Sequence, residues 1–346
     1  MLWGGVICGI IFLYFFRGLL IYTVSDFIAF AFCLVSVILL HTTITNKEIN
    51  VKKVIEGFAL GLCLYGAYNI RTIYLFLMIA CLCVLIMWKW YEKKHVDLMI
   101  TLSACLAGIF ICAIPQMVIN YNLNGYYSWQ VPTNGLMSLQ IQWGISCQFC
   151  VGYIGDPAEY GNAMVSFTDS IGQAILDEAQ IGDFGKGFVF IKEFVNLVLQ
   201  YPLDIAGIYM RHLLNILYPV YPEQYIQNIT RDKSIYLILA YTIFFIASSN
   251  FVSMLKLKSS KWVWFCLILL PCLCILPGAV EIRFFIALYF LIYMYTVLGL
   301  KEFCTRVKQS KVKYSIFYFM GFLLYIAYAG MLFSAMADRT TLINNF

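Results

Sequence analysis

The sequence predicts an all-α fold, a polytopic transmembrane helical bundle of about nine spans with one large extracytoplasmic loop that contains interfacial helices. Apolar residues make up 62% of the 346 residues, only 12% are charged, and the mean hydropathy is +0.82. Soluble domains usually carry about a quarter charged residues. Apolar runs close to the roughly 20 residues needed to cross a bilayer recur along the chain.

These runs place the spans and divide the chain into three segments. Residues 1–118 hold the N-terminal transmembrane helices, 119–233 the extracytoplasmic loop with amphipathic helices, and 234–346 the C-terminal transmembrane helices. The predicted spans are Leu2–Leu20, Phe27–His41, Val54–Ile70, Thr72–Trp88, Leu98–Val118, Ile235–Leu255, Trp262–Leu276, Phe284–Leu300 and Tyr314–Met336.

The basic residues set the predicted orientation. Residues 42–53, 89–97, 256–261 and 301–313 are short polar stretches rich in lysine, and the positive-inside rule makes them cytoplasmic. Residues 121–200 then lie outside. Because the lysines stand where topology needs them, the net charge of +5 does not indicate a nucleic-acid partner. We expect a multi-pass protein of a bacterial plasma (inner) membrane with its active face extracytoplasmic.

The stretch 187–220 leaves two alternatives open. Either Phe188–Gln200 and Leu203–Tyr218 form a short helical pair that crosses the membrane, or both lie along the outer interface as amphipathic helices. The charged and polar side chains of Arg211 and His212 in mid-segment favour the interfacial alternative.

Charged residues at the ends of the spans share one predicted face of the membrane. They are Arg17, Asp26, Arg71, Glu281 and Arg283, and the long polar loop lies on the same face. Ionisable groups near a bilayer core are costly and usually serve a function. The pattern therefore predicts a reaction site at the outer boundary of the membrane.

Three of these residues, Arg71, Arg283 and Glu281, are candidates for the site that binds the donor phosphate. Arg71 and Arg283 carry planar guanidinium groups that suit a phosphate, and Glu281 stands beside Arg283. The alternatives are that Glu281 and Arg283 pair with each other, that Arg283 reaches the lipid headgroups, and that Arg71 is a solvated hairpin residue. We expect Arg71 and Arg283 to converge on one cavity.

Asp26 is the candidate catalytic acid. It opens a span after Ser25, an arrangement typical of a helix N-cap, and capping alone would explain it. The functional alternative is a general base or a ligand of a divalent metal ion. The sequence has no His/Cys cluster with metal-ligand spacing, so no metal site is predicted and the cofactor is left open.

The start of the large loop supplies candidate substrate contacts. Asn120 ends the preceding span, Gly125 marks a turn, and Tyr126, Tyr127 and Trp129 follow. Aromatic rings at this position can stack on sugar rings or lie in the headgroup layer of the bilayer, and the second role is the common one.

Cys147 and Cys150 form a C-x-x-C motif in the same loop. A structural disulfide, a redox pair and half of a metal site all remain open for them.

The order of these features resembles the GT-C fold glycosyltransferases that use polyprenyl-phosphate sugars, within them the protein O-mannosyltransferase and aminoarabinose-transferase clan. The resemblance rests on Tyr22 to Asp26, Gly61 to Arg71, Pro115 to Gly125, and Glu281 to Phe284. It implies transfer of a sugar from a polyprenyl-phosphate donor to a glycan, lipid or protein acceptor. The family's main catalytic aspartate lies on a first outer loop that has no counterpart here, so a separate N-terminal half is an expected partner.

Two other functions remain open. A cell-surface polysaccharide polymerase or ligase is also polytopic, with a large outer loop and arginines. A transporter or flippase subunit would be expected to show inverted repeats or charges at the membrane midplane, and the sequence contains neither.

Overall fold

The computed structural model describes residues 25–46, 48–132, 135–154, 162–182, 188–217, 225–226, 242–250, 261–309, 319–327, 330 and 341–344. Most of these residues are helical, as the sequence predicts. The chain divides into two compact units. The first unit comprises the described residues within Thr23–Asn134 and Ser259–Cys274, and the second comprises the others.

All regular secondary structure in the described part of the first unit is helical. Its helices are α1 (Ser25–Thr45), α2 (Val51–Ile70), α3 (Leu75–Tyr91), α4 (His95–Asn124) and nearly all of α9 (Lys261–Ile275), and a 3-10 turn, Thr72–Tyr74, precedes α3. Among the described residues, three helical stretches are long and apolar enough to cross a membrane: Ser25–Thr45, Thr72–Tyr91 and His95–Asn124. They contain the predicted spans Phe27–His41, Thr72–Trp88 and Leu98–Val118.

The remaining spans have different outcomes. Val54–Ile70 lies within α2, and the spans Trp262–Leu276 and Phe284–Leu300 overlap the shorter apolar helices Val263–Ile275 and Arg283–Val297. Leu2–Leu20 lies outside the described residues. Ile235–Leu255 and Tyr314–Met336 are described only over 242–250 and 319–327, which are helical. The total of about nine spans and their sidedness stay predictions.

Helices α2 and α4 run in the same direction and pack through glycines. A Cβ atom placed on Gly61 would overlap the carbonyl oxygen of Cys105, and one on Gly108 would overlap the carbonyl oxygen of Phe58. Small residues let two helix backbones approach this closely. In lipid, where no hydrophobic force drives helices together, the van der Waals contacts of such close packing stabilise the pair. The α2–α4 pair is thus the rigid centre of the first unit.

Ion pairs join the helices at both ends of the first unit. The Asp26 end holds the start of α1 and the ends of α2 and α4. The opposite Asp97 end holds the end of α1, the start of α2, the end of α3 and the start of α4. At the Asp97 end, Asp97 Oδ2 accepts from Lys53 Nζ at 2.8 Å and from Lys89 Nζ at 2.7 Å. Both lysines are fully buried.

Lys53 and Lys89 belong to the lysine-rich stretches 42–53 and 89–97 that the sequence predicts to be cytoplasmic, and both side chains are buried. Lys53 Nζ also donates to the carbonyl oxygen of Asn46 at 2.7 Å, and Lys89 Nζ lies 3.4 Å from that of Ile44. The carbonyl groups at the C-terminus of α1 carry partial negative charge. The two ammonium groups therefore bind the end of α1 as well as Asp97, and hold four helices together.

The second unit contains the loop segment and part of the C-terminal segment. Its elements are α5 (Leu136–Ser146), β1 (Cys147–Ile154), β2 (Asn162–Thr168), α6 (Ser170–Glu178), α7 (Phe188–Gln200), α8 (Pro202–Ile216), β3 (Tyr225–Ile226), a 3-10 turn (Ile282–Phe285), α10 (Ile286–Gln309) and β4 (Thr341–Asn344). The strand order is β3-β1-β2-β4; β1–β2 and β2–β4 are antiparallel, and β1–β3 is parallel.

The β1–β2 pair differs from the all-helical loop that the sequence analysis predicts. Its register joins Cys147 to Thr168 and Ile154 to Asn162, with a bulge between Cys147 and Phe149. Two short runs rich in aromatic and β-branched residues, separated by 155–161 with its Gly, Pro and Asp, are a hairpin signal. The sequence analysis does not predict these two strands, although that signal is present in the sequence.

Helices α7 and α8 match the predicted helical pair in extent. Pro202 occupies the first turn of α8, where a missing N–H costs nothing. Ile205, Ile208 and Ile216 are buried on one face of α8. Ile205 and Ile208 belong to an apolar cluster with Ile145, Ile175, Leu176, Phe190 and Leu197. Ile216 is buried on the same face of α8. The pair is amphipathic, as predicted, and its position relative to the membrane stays a prediction.

Candidate functional site

The Asp26 end of the first unit is built around an ion pair. Arg71 Nε donates to Asp26 Oδ1 at 2.6 Å, and Arg71 Nη2 lies 2.5 Å from the same oxygen. The Asp26 side chain is 8% exposed and that of Arg71 is 27% exposed. Two predicted site residues, 45 positions apart in the sequence, are therefore in direct contact.

The backbone around Arg71 places its side chain at this end. Helix α2 ends at Ile70, and Arg71 has an extended conformation with φ −144° and ψ 113°. Its N–H still bonds to the carbonyl oxygen of Ala67, which completes the last turn of the helix. The 3-10 turn then begins at Thr72. Arg71 thus lies at the junction between α2 and α3.

Asp26 is the second residue of α1 and pairs with a residue at the end of another helix. Its contact with Arg71 crosses to α2, so the pair ties the start of one helix to the end of the next. An aspartate in the first turn of a helix is also favoured by the helix dipole. The capping interpretation and the site interpretation are both compatible with this geometry, and the catalytic role of Asp26 stays a prediction.

A chain of side-chain amides runs beside the ion pair. Asn69 Nδ2 donates to Gln116 Oε1 at 2.9 Å, and Gln116 Nε2 donates to Asn120 Oδ1 at 3.0 Å. Asn120 is 1% exposed and Gln116 is 8% exposed. Asn120 Nδ2 then donates to the carbonyl oxygens of Ser128 and Gln130 at 2.6 and 2.8 Å.

These bonds define the role of Asn120 in the structure. Helix α4 ends at Asn124, and Gly125 takes the left-handed conformation with φ 75° that a helix C-cap often requires. The chain folds back, and Asn120 holds residues 128–130 against the helix. Asn120, a predicted substrate contact, is therefore buried, and its side chain binds the backbone of the loop.

Two tyrosines of α2 hold the next part of the loop. The Tyr65 hydroxyl donates to the carbonyl oxygen of Trp129 at 2.6 Å, and the Tyr68 hydroxyl accepts from the N–H of Val131 at 3.0 Å. Both tyrosines are buried. The loop is thus bonded to α2 and α4 on its inner side, which gives it one fixed conformation.

The aromatic side chains of this loop face outward. Tyr126, Tyr127 and Trp129 are 57%, 64% and 42% exposed. The rings of Tyr121 and Tyr127 are stacked, with centroids 4.5 Å apart and an interplanar angle of 10°. The structure therefore presents exposed aromatic rings on a fixed loop, at the end of the unit that also carries Asp26 and Arg71.

The second unit holds the other predicted pair. Arg283 Nε lies 2.6 Å from Glu281 Oε2, and Arg283 Nη2 donates to Glu281 Oε1 at 3.0 Å. The guanidinium also lies over the ring of Phe284, 5.0 Å from its centroid. This bidentate pair matches the alternative in which Glu281 and Arg283 bind each other. The binding of a phosphate by Arg283 stays a prediction.

The segment that leads to Glu281 is packed closely. Helix α9 contains Pro271 and ends at Ile275, two residues before Pro277. Ala279 and Val280 are fully buried. A Cβ atom on Gly144 would overlap the carbonyl oxygen of Pro277, which shows how near α5 lies to this segment.

A third ion pair was not anticipated from the sequence. Arg211 donates to Asp169 through Nε at 2.6 Å and through Nη2 at 2.9 Å. Asp169 is 1% exposed, and its Oδ1 also accepts from the N–H groups of Ile171 and Gly172, which caps α6. The motif Asp169-Ser-Ile-Gly before an apolar run is a capping signal that could have identified Asp169. No sequence signal joins it to Arg211.

Several predictions remain untested. Arg17 lies outside the described residues, as does the side chain of Cys150. Cys147 is buried at the start of β1. Whether Arg71 and Arg283 share a cavity stays a prediction. Within the described part of the chain, no group of three or more His, Cys, Asp or Glu side chains could hold a metal ion.

Comparisons with known proteins add no relative to this description. No protein-family model matches the chain, and neither a curated protein nor a solved structure matches it with statistical significance.

Proposed function

We propose that this chain is a membrane glycosyltransferase that transfers a sugar from a polyprenyl-phosphate donor to an acceptor at the extracytoplasmic face. The observation that carries the proposal is the contact of Asp26 with Arg71 over 2.6 Å at the end of the first unit that also carries exposed aromatic rings. An acid, a cation and exposed aromatic rings are the groups that such a transfer needs. The isoprenoid tail of the donor stays in lipid, so the reaction must take place at the membrane boundary.

The position of the charges supports a boundary site over a transport path. Within the first unit, the described ion pairs lie at the Asp26 end, at the Asp97 end and in the connections beside the Asp97 end. A transporter would be expected to carry its coupling charges near the bilayer midplane. The transferase is therefore the better proposal for this arrangement.

The chemistry follows from the two side chains. The acceptor hydroxyl oxygen forms a bond to the anomeric carbon of the sugar, and the bond from that carbon to the phosphate oxygen breaks. The electron pair of the broken bond leaves with the polyprenyl phosphate. The acceptor proton passes to the Asp26 carboxylate, which acts as a general base. Arg71 stabilises the charge that develops on the leaving phosphate.

The ion pair makes donor binding and base catalysis depend on each other. Arg71 Nε and Nη2 both contact one oxygen of Asp26, Oδ1. A phosphate that binds the guanidinium competes with that oxygen, since charge-assisted bonds to a planar fork use the same N–H groups. We therefore propose that donor binding draws Arg71 away from Asp26 and frees the carboxylate for the acceptor proton.

The exposed aromatic rings are proposed to contact the sugar or the acceptor. Tyr127 and Trp129 stand on a loop that Asn120, Tyr65 and Tyr68 hold in place. A fixed loop loses little conformational entropy when it binds a ligand. Insertion in the headgroup layer is the alternative role for these rings.

The test measures a product that does not depend on the identity of the acceptor. Membranes that contain the chain are incubated with a panel of polyprenyl-phosphate sugars. Mass spectrometry then measures release of free polyprenyl phosphate. The proposal predicts release with at least one donor and a loss of at least about 100-fold in the Asp26→Asn variant, the lower range for general-base catalysis.

The control is Glu48→Gln, which removes an acid from the connection between α1 and α2 at the Asp97 end. Glu48 is an exposed residue there, so its loss leaves release unchanged. Equal release by Asp26→Asn and the unaltered chain, at equal membrane content, rules out Asp26 as the base. No release with any donor contradicts the proposal as a whole.

A further inference from the structure

His212 lies in the second unit with both ring nitrogens on backbone carbonyl oxygens. Its Nδ1 is 2.8 Å from the carbonyl oxygen of Leu276, and its Nε2 is 3.0 Å from that of Cys147. The side chain is fully buried. His212 therefore bridges three elements of the unit: α8, the start of β1, and the segment Leu276–Val280 that leads to Glu281.

The two carbonyl oxygens create a conflict for either charge state of the ring. A neutral imidazole has one N–H donor, so one of the two carbonyl oxygens faces a nitrogen lone pair. A charged imidazolium donates to both oxygens, but it places a positive charge where water does not reach. Neither state satisfies the position fully, which makes the bridge sensitive to a proton.

The neighbouring groups decide which state prevails. Arg211 disfavours a second positive charge, and Asp169 favours it, but Asp169 already binds Arg211. Among the described residues, Tyr209 also faces the ring, with its ring centroid 5.7 Å away, and Cys147 contacts the ring through its backbone carbonyl oxygen. Burial raises the pKa of Tyr209 to about 12, so the phenol stays neutral. Burial is the largest influence on His212 and lowers its pKa below the ordinary value.

We propose that His212 is a positioning residue for the Glu281–Arg283 pair, acting through the Leu276–Val280 segment, and that gain of a second ring proton releases this segment. At neutral pH the neutral ring holds the bridge. Acidification places a positive charge on the ring in a buried position, where the loss of hydration is unfavourable. Opening of the bridge lets water reach the imidazolium. The role at Glu281 and Arg283 rests on the proposed function together with the prediction that Arg283 binds the donor phosphate, whereas the bridge and its response to pH do not.

The direction follows from proton linkage. A histidine whose pKa is lower in the closed bridge than in the open one binds protons more readily in the open state. The stability of the closed bridge relative to the open one is then at its maximum at pH values above the ordinary histidine pKa of about 6.5. This stability decreases as the pH falls toward the lower pKa of His212 in the closed bridge. For one proton, the equilibrium constant for opening rises by at most about tenfold per pH unit.

Hydrogen exchange of backbone amides measures this opening. The chain contains three histidines, so the His41→Gln/His95→Gln variant leaves His212 as its single imidazole. Exchange is followed from pH 5 to pH 8 for peptides covering 144–150 and 276–284. Helix α7 serves as the internal reference, because the ratio to its exchange removes the intrinsic effect of pH on amide exchange.

The expected result is a fall in relative protection of both peptides below about pH 6.5, of up to about tenfold per pH unit. The fall persists in the His41→Gln/His95→Gln variant and is absent in His212→Gln. A flat pH profile in the unaltered chain overturns the proposal. So does a pH response that disappears when only His41 and His95 are replaced, and this result does not require the His212 variant to fold.

Transfer assays separate this inference from the proposed function. If the bridge responds to pH but no donor is turned over, His212 controls the segment and the glycosyltransferase proposal fails. If transfer occurs with a pH profile that His212→Gln does not alter, the positioning role fails and the transferase proposal stands.

Discussion

Lys53 of α2 donates a hydrogen bond to Asp97 of α4 over 2.8 Å, and neither side chain is more than 4% exposed. Lys89 shares the same carboxylate oxygen. One aspartate therefore balances two buried ammonium groups, together with the carbonyl oxygens at the end of α1.

Replacement of Asp97 by Asn leaves both lysines without a counter-charge. Loss of one partner of a buried ion pair usually costs about 3–5 kcal/mol, because the remaining charge stays buried. We expect Asp97→Asn to lower the unfolding free energy in detergent by at least this amount. Glu92→Gln is the control, since Glu92 and Lys94 are each 32% exposed and such pairs contribute about 1 kcal/mol or less. Equal effects of the two changes would show that Asp97 does not hold the helices together.

The close approach of α2 to α4 predicts a contrast between two glycines of one helix. A Cβ at Gly61 would overlap the backbone of Cys105, whereas a Cβ at Gly66 would meet the ring of Phe32 at an ordinary distance of 3.6 Å. Gly61→Ala should therefore destabilise the chain by about 1–3 kcal/mol through forced separation of the helices. Gly66→Ala should be neutral or slightly stabilising. Thermal unfolding in detergent measures both, and tolerance of Gly61→Ala would refute the packing.

The predicted topology can be tested with single cysteines in a background from which all 13 native cysteines are removed. Tyr126→Cys stands on the loop beside α4, at the Asp26 end, and should react with a membrane-impermeant thiol reagent on intact cells. Lys52→Cys, whose native side chain is 77% exposed at the Asp97 end, should react only after the cells are permeabilised. If position 52 reacted on intact cells and position 126 did not, the orientation of the chain would be opposite to the predicted one.

The regular parts of the fold were predictable because lipid leaves few choices. Long apolar runs must be helical, and the starts and ends of α1, α3 and α4 follow from where those runs stop. The left-handed Gly125 was likewise predicted as a turn, since glycine is suited to that conformation.

The contacts between distant residues were not predictable. Nothing in the local pattern joins Asp26 to Arg71, Asp169 to Arg211, or His212 to the carbonyl oxygen of Leu276, because each contact depends on how separate elements pack. Lys53 and Lys89 have the same local pattern as exposed loop lysines such as Lys52. Only the packing of four helices around Asp97 distinguishes them.

The fixed loop predicts a specific effect of Asn120. Its side chain makes two hydrogen bonds to loop carbonyl oxygens and accepts one from Gln116. Asn120→Ala should leave these buried groups unsatisfied, at about 1–3 kcal/mol each, and should speed amide exchange in residues 126–131. Tyr126→Ala is the control on the same loop, because Tyr126 is 57% exposed. Unchanged exchange in Asn120→Ala would show that other bonds fix the loop.

Binding of a polyprenyl phosphate to the purified chain in lipid nanodiscs tests the central claim most directly. Arg71→Gln alone would remove the ion pair of the buried Asp26 carboxylate, so the comparison uses Asp26→Asn against the double variant Asp26→Asn/Arg71→Gln. The account predicts that Asp26→Asn binds at least as tightly as the unaltered chain, because Arg71 no longer has a competing carboxylate. The double variant should bind at least about tenfold more weakly, since hydrogen bonds to a charged group contribute about 1.5–3 kcal/mol. Equal affinity of the two variants, or no binding by the unaltered chain, would contradict the assignment of Arg71 as the phosphate-binding group.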